Sequence, residues 1–292
     1  MALRYDTISF LSDYGRVDEF VGVVHSVVRA IAPEVRVIDL THDIAAHDVR
    51  AGGLALARSA QYLAPGVVLA VVDPGVATSR RAIAIEVGEG QSILVGPDNG
   101  LLAPAVALCG GADRAVVLDN AEYHLEAPGP TFAGRDVFAP VAAHLCNGVA
   151  LEELGQLVDP ITLIPGVLPV THPLEDGDGF AAEVLWVDTY GNCQLNVDPE
   201  DLVDWGARVQ LRIDERSRTA VRAGSYADVG VGEIGLVLDS YGMLALTVDR
   251  GSAAAELGLA AGDRLTVHRF ADDEEASTGI TTPIELRRKA EG

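Results

Sequence analysis

Disulfide pairs, glycine-rich phosphate loops, a surplus of basic charge and long apolar runs are all missing from this chain, and each absence removes a class of function. The 292 residues hold three cysteines, Cys109, Cys146 and Cys193, widely spaced and without a C-x-x-C pattern. They read as reduced core residues, and neither a disulfide framework nor a structural zinc is expected. Lys and Arg number 21 against 43 Asp and Glu, a formal charge of -22. That balance argues against nucleic acid and anionic membrane as partners and leaves a cationic or zwitterionic small ligand compatible. No G-x-G-x-x-G or G-x-x-x-x-G-K-[ST] follows the first strand, which disfavours a dinucleotide or a triphosphate held on a glycine-rich loop. The segment MALRYDTISFLSD has no apolar stretch of signal-peptide or membrane-span length, so a cytoplasmic location is expected. Internal repeats and low-complexity tracts are absent as well.

What is present is 49% hydrophobic, enough for a sizeable core and, by length, about two domains. The apolar run Val67 to Val72 reads as a buried strand stopped by Pro74-Gly75, which places the Asp73 carboxylate at the strand's C-terminal edge. In open α/β sheets ligands bind at that edge. A guanidinium seven residues on, Arg80, can fold back to the carboxylate, and such a pair can hold and polarise a water molecule; Arg81 is the fallback partner. The competing reading is a turn-capping Asp beside two surface arginines.

The same plan recurs along the first half. Tyr5 to Leu11 is a strand ending in Ser12-Asp13-Tyr14-Gly15, and Asp18 opens a helix with apolar positions from Phe20 to Ile31. Asp13 is placed to accept hydrogen bonds from a ribose diol, or is simply a turn-former. Val35 to Leu40 is a strand, and Asp48 caps a helix from Val49 to Leu63. Between them His42, Asp43, His47 and Asp48 lie in a loop with no Cys or Glu to complete a ligand set, so no metal is expected; His47 is better placed to line a pocket. Strands follow at Ala82 to Val87 and Ile93 to Val95, the latter ending in the turn Asp98-Asn99-Gly100. Val116 to Leu118 continues the sheet, and Val137 to Leu145 reads as an amphipathic helix closed by Asn147-Gly148.

After Pro160 the composition changes. The expected organisation is an N-terminal α/β domain over 1–166 with helices on both sheet faces, a Pro/Gly- and acid-rich linker over 167–178, and a C-terminal all-β barrel-like domain over 179–292. Short strands are expected at Phe180 to Val187, Val209 to Ile213, Ile234 to Leu238, Met243 to Val248 and Arg264 to His268. In the loop after the first of them, Tyr190 offers a stacking face and Asn192 an amide suited to a purine edge, though both are also turn residues. Gly251 to Gly262 superficially resembles a segment of PDZ peptide-binding modules, but no carboxylate-binding glycine loop precedes it. The charged tail from Ala271 reads as a frayed end.

Taken in order, Ser12-Asp13-Tyr14-Gly15, His47-Asp48-Val49, Asp73-Pro74-Gly75-Val76 with Arg80, Pro97-Asp98-Asn99-Gly100-Leu101, Thr131-Phe132-Ala133-Gly134-Arg135-Asp136 and Gly191-Asn192 resemble the S-adenosylmethionine hydroxide adenosyltransferases, relatives of the fluorinating and chlorinating enzymes. The resemblance runs from Phe10 to about Leu259. It implies attack of water on ribose C5′ of S-adenosylmethionine, giving adenosine and L-methionine, with no cofactor, and a homotrimer with substrate between neighbouring subunits. By position it implies that Asp13 grips the ribose, that Asp18 and Phe20 line the methionine end, and that His47 walls the ribose. Asp188 and Ser240 match methionine contacts, Tyr190 and Asn192 match the adenine stack and its amide, and Val248, Asp249 and Arg250 occupy the segment whose backbone meets adenine. Asp73 and Arg80 match two members of a water-activating Asp-Arg-His set. It further suggests a role in clearing the (R)-sulfonium epimer.

The third member of that set, a histidine, falls at Ala133. Loss of an imidazole from a general-base network costs roughly 10²- to 10⁴-fold in rate while leaving binding intact. Two other readings therefore stay open: a binder of adenosine or S-adenosylmethionine with little turnover, and halide-dependent adenosyl transfer. The short gap from Val87 to Ile93 lacks the insertion of the halogenating relatives and favours hydroxide.

Overall fold

A computed structural model describes residues 3–175 and 177–270. Contacts divide the chain between Leu168 and Pro169. In the first unit the elements run β1 (Thr7–Ser12), α1 (Phe20–Ile31), β2 (Arg36–Thr41), α2 (Val49–Ala60), β3 (Val67–Val71), β4 (Ala82–Val87), β5 (Ser92–Pro97), α3 (Ala103–Leu108), β6 (Arg114–Val117), α4 (Ala139–Cys146) and β7 (Leu157–Val158). The strands form one sheet in the order β2-β1-β3-β5-β4-β6-β7. Strands β2, β1, β3 and β5 are parallel, whereas β4 runs antiparallel to both β5 and β6.

Strand β3 shows why this sheet must be covered twice. All five of its residues are buried. Val67, Leu69 and Val71 face a core shared with α1 and α4, while Val68 and Ala70 face a second core shared with α2 and α3. Successive strand residues point to opposite faces, so a continuous apolar run is stable only with helices on both sides. That is the expected architecture, with C-terminal ends of β1, β3 and β5 side by side.

The second unit contains β8 (His172–Pro173), β9 (Gly179–Val187), β10 (Cys193–Leu195), β11 (Arg208–Ile213), β12 (Arg216–Ala223), β13 (Ile234–Leu238), β14 (Leu244–Val248), α5 (Ala253–Leu257) and β15 (Arg264–Arg269). Its strand order is β10-β14-β13-β12-β11-β15-β9, and β10 also pairs with β9. The ring of seven strands therefore closes into a barrel around Val184, Leu195, Val209, Leu211, Leu246 and Val267; closure removes exposed sheet edges.

Several local expectations change. Helix α1 begins at Phe20, not Asp18, with Glu19 at its N-cap and no side-chain cap bond. Asp48 does cap α2, accepting the Ala51 N–H at 2.8 Å. The helix expected to be amphipathic is buried on nearly every side from Ala139 to Cys146, except His144, and is preceded by a π-helical turn, Gly134–Phe138. It lies between α1 and β3, so periodicity had no solvent face to mark. Strand β8 lies inside the stretch read as linker and pairs with β9. The arginine-rich β12 escaped the sequence reading because its residues are mostly half-buried or exposed and its neighbours supply the pairing. The PDZ-like stretch contains α5, with the Ser252 hydroxyl as cap. The tail from Ala271 lies outside the described residues. No helix among the described residues is long and apolar enough to cross a membrane.

Candidate active site

The turn after β3 is built so that Arg80 returns to Asp73. Val76 N–H donates to the Asp73 carbonyl, Thr78 N–H and Oγ1 donate to the Gly75 carbonyl, and Arg80 N–H donates to Thr78 Oγ1. The guanidinium then meets the carboxylate side-on, Nε to Oδ1 at 3.0 Å and Nη2 to Oδ2 at 2.5 Å. Both side chains are largely shielded from solvent, 12% exposed for Arg80 and 5% for Asp73. Arg80 also lies over the Phe138 ring, 5.4 Å from its centroid. A buried bidentate pair of this kind holds its geometry better than a surface ion pair.

Burial raises the proton affinity of Asp73 more than Arg80 and the Gly75 N–H lower it, and the nearby Asp13 carboxylate adds to the rise. The net shift is above the ordinary carboxylate value. Asp73 is thus an anion held in place by its partner yet more basic than an exposed aspartate.

Asp13 stands beside it because its N–H donates to the Val71 carbonyl, tying the end of β1 to the end of β3. Its Oδ2 accepts the His47 N–H at 2.9 Å. His47 holds a left-handed backbone, φ +68°, which is unusual for a residue other than glycine. The histidine thus reaches Asp13 through its backbone, while its exposed side chain stands at the edge of the same turn. Asn99, at the end of β5, donates to the Val72 carbonyl and caps its own turn through Leu101 N–H. Arg81 does not compete for Asp73: it pairs with Asp98 and donates to the Thr162 carbonyl.

Next to these polar groups lies an aromatic patch of which the sequence reading assigned Phe20 but neither Tyr14 nor Phe132. Tyr14 meets Phe132 and Phe20 at ring-centroid distances of 5.6 and 5.7 Å, and Phe20 meets Phe132 edge-on at 5.1 Å. Burial, followed by the Asp13 and Asp73 carboxylates, pushes the Tyr14 phenol far upward, so it remains protonated. Gly134 is required here, since a Cβ would collide with Tyr14 Oη. Ala133 sits between Phe132 and Gly134, against the core that includes α1 and α4. Asp18 is exposed just ahead of α1. The signal for Tyr14 was its place between Asp13 and Gly15; of its ring partners Phe20 is six residues on, whereas Phe132 is distant in sequence.

In the second unit, Asp188 organises the loop that follows β9. Its Oδ1 accepts Tyr190 and Asn192 N–H, and its Oδ2 accepts the Asn192 side-chain amide at 2.8 Å. The loop projects Tyr190, which is 77% exposed. Gly191 has φ +85°, a Cβ there would collide with Ser252, and its carbonyl accepts the Ala254 N–H. The loop is thereby held against the segment after β14 that contains Asp249 and Arg250, with Val248 at the strand's end. Asp239, preceding Ser240, binds Gln194 Nε2 and the N–H groups of Tyr241 and Met243.

A separate apolar cavity of about 400 Å³ lies among Ile83, Ile85, Leu102, Val106, Ile161 and Ile164. Its lone charged lining residue, Asp98, is already paired with Arg81, and neither Asp73 nor Arg80 lines it.

Residues 8–155 match the family profile of the SAM hydroxide adenosyltransferase N-terminal domain, and residues 182–266 that of the SAM hydroxide adenosyltransferase C-terminal domain. The (R)-S-adenosyl-L-methionine hydrolase of Salinispora tropica is 46% identical over 260 residues, covering 89% of this chain and 97% of that protein. A fluorinase of an Actinoplanes species is more distant, 25% identical over 289 residues, covering 89% and 96%. Among solved structures, an uncharacterized conserved protein from Thermotoga maritima superposes with a TM-score of 0.82 at 34% identity, covering 90% of this chain and all of that one.

Proposed function

The chain belongs to the S-adenosylmethionine hydroxide adenosyltransferase family, and on that premise we propose that it hydrolyses S-adenosylmethionine to adenosine and L-methionine, with Asp73 and Arg80 preparing the water. The observation that carries this reading is the shielded bidentate pair at the end of β3, beside Asp13.

The sulfonium is a leaving group that departs as a neutral thioether. What the protein must supply is a nucleophile in line with the C5′–S bond and a dry site. Water oxygen forms the bond to C5′ while the C5′–S bond breaks and its electron pair stays on sulfur. The proton lost by the water passes to Asp73, whose raised proton affinity suits a general base. Arg80 keeps Asp73 oriented and places positive charge where hydroxide character develops. In this reading Asp13 takes the ribose hydroxyls, His47 walls the ribose, and Asp18 and Phe20 line the methionine end beside the Tyr14 and Phe132 rings. Tyr190 stacks on adenine and Asn192 reads its edge, with Val248, Asp249 and Arg250 alongside; Asp188 and Ser240 face the methionine group. Asp188 reaches that role while both its oxygens hold its own loop, so its contribution is partly to position Tyr190. No cofactor enters the reaction. The assembly in this reading is a homotrimer with substrate where neighbouring copies meet, acting on the (R)-sulfonium epimer in the cytoplasm.

Incubation with excess S-adenosylmethionine in H₂¹⁸O tests the core of the proposal. More than one equivalent of adenosine per chain, labelled at the 5′ oxygen, is expected. One equivalent or less would establish the binding-only reading, and unlabelled adenosine would exclude attack of water at C5′. Release of a halogenated nucleoside in chloride or fluoride would favour halide transfer. Sedimentation equilibrium checks the trimer.

A further inference from the structure

His25 on α1, Asp39 on β2 and His42 just beyond β2 bring three ligand atoms within 4.8 Å of one another. His25 Nε2 lies 2.8 Å from Asp39 Oδ1, and His42 Nε2 lies 3.0 Å from the same oxygen. Donors around a tetrahedral ion with ligand distances of about 2.0–2.1 Å stand about 3.3 Å apart; the two separations here are hydrogen-bond distances, so the three groups already converge on one point and need to spread by about half an ångström to admit an ion.

His42 supplies the second, independent observation. Its side chain is 1% exposed, and its buried Nε2 makes no hydrogen bond of good geometry, with Asp39 Oδ1 at 3.0 Å as its polar neighbour. Such a nitrogen is costly unless something occupies its lone pair or its proton. The opposite ring nitrogen, Nδ1, is fixed by Ser12 Oγ at 2.7 Å. That is the outer hydrogen bond that orients metal-bound histidines and sets their tautomer. Tilted contacts with Phe10, 4.5 Å from its ring centroid, hold the imidazole further. His25 and Asp39 are about one-third exposed, which leaves a path and room for water ligands.

We propose that His25, Asp39 and His42 bind a borderline divalent transition-metal ion, of the Zn²⁺ class, at a site distinct from Asp73 and Arg80. Two imidazoles and one carboxylate select such ions over Mg²⁺ and Ca²⁺, which want oxygen ligands. The ion's effect is structural. The His42 carbonyl accepts the Gly15 N–H at 2.7 Å, and Ser12 Oγ accepts the Tyr14 N–H. Fixing His42 therefore fixes the turn that carries Asp13.

Calorimetric titration of the untagged, EDTA-dialysed full chain with ZnCl₂ and CoCl₂ tests the site. One equivalent with micromolar affinity is expected, with no response to MgCl₂. The Co²⁺ form should show visible ligand-field bands without thiolate charge transfer. His25→Ala and Asp39→Asn, both at partly exposed positions, should each weaken binding about tenfold or more and abolish the Zn²⁺-induced rise in Tm. Absence of saturable binding, a thiolate signature, or affinity unchanged in both variants would overturn the assignment.

Discussion

Arg80 grips Asp73 through two hydrogen bonds, 3.0 and 2.5 Å long, across a turn of only six intervening residues. The carboxylate so held carries a raised proton affinity despite its cationic partner, because removal from water outweighs the attraction.

Asp73→Asn and Arg80→Ala should separate chemistry from binding. Turnover is expected to fall about 10²- to 10⁴-fold, with ligand affinity by calorimetry within a few-fold of the parent. Unchanged turnover in both would remove the pair from the mechanism.

Ala133→His should raise turnover about 10²-fold by restoring the imidazole that completes the family's water-activating set. Steady-state release of adenosine is the measurement, and a flat response would show that this chain activates water without it.

The pH profile follows from the direction of the Asp73 shift. The base is active when ionised, so kcat/KM should fall as pH drops through a pKa above the ordinary 3.8 of aspartate, and Asp73→Asn should erase that limb. For stability the sign is opposite. The folded state holds this proton more tightly than the unfolded chain, so the contribution of Asp73 is greatest at low pH and is lost as pH rises through the folded value.

Glu86 behaves in the contrary way. Arg114 binds both its oxygens, at 2.6 and 3.0 Å, and Arg4 adds a third contact at 3.1 Å. These partners, Arg114 foremost, hold the Glu86 carboxyl below its ordinary 4.5. Its stabilisation is present above that value and lost as pH falls through the lowered one. Glu86→Gln should cost about 2 kcal/mol at neutral pH, measured by urea unfolding, and much less in acid.

Gly191→Ala should disturb the nucleoside loop of the second unit. The left-handed backbone and the collision with Ser252 cost about 1–3 kcal/mol, and displacement of Tyr190 should raise the Kd for adenosine. An unaltered Kd would argue against stacking on Tyr190.

Much of the fold was legible because strands with both faces buried are written as unbroken apolar runs; Val67 to Val72 is one. Asp13 and Asp73 were legible for a related reason, since each lies within two residues of a strand's C-terminal end and parallel neighbours bring such ends together; Asn99 was read only as a turn residue. Strand β12 was not, because its sequence carries arginines and its pairing comes from elsewhere in the chain. Helix α4 was misread as amphipathic because burial on nearly all sides leaves no periodic polar face.

The sequence by itself determined the βα alternation of the first half, the all-β character of the second and the polar turns at strand ends, since these follow from local periodicity and turn chemistry. Only the tertiary structure decided that Asp73 takes Arg80 while Arg81 goes to Asp98, that Tyr14 joins Phe20 and Phe132, and that His25 meets Asp39 and His42. Those partners lie between six and more than a hundred residues apart, and burial, not spacing along the chain, selects which charges and rings must satisfy one another.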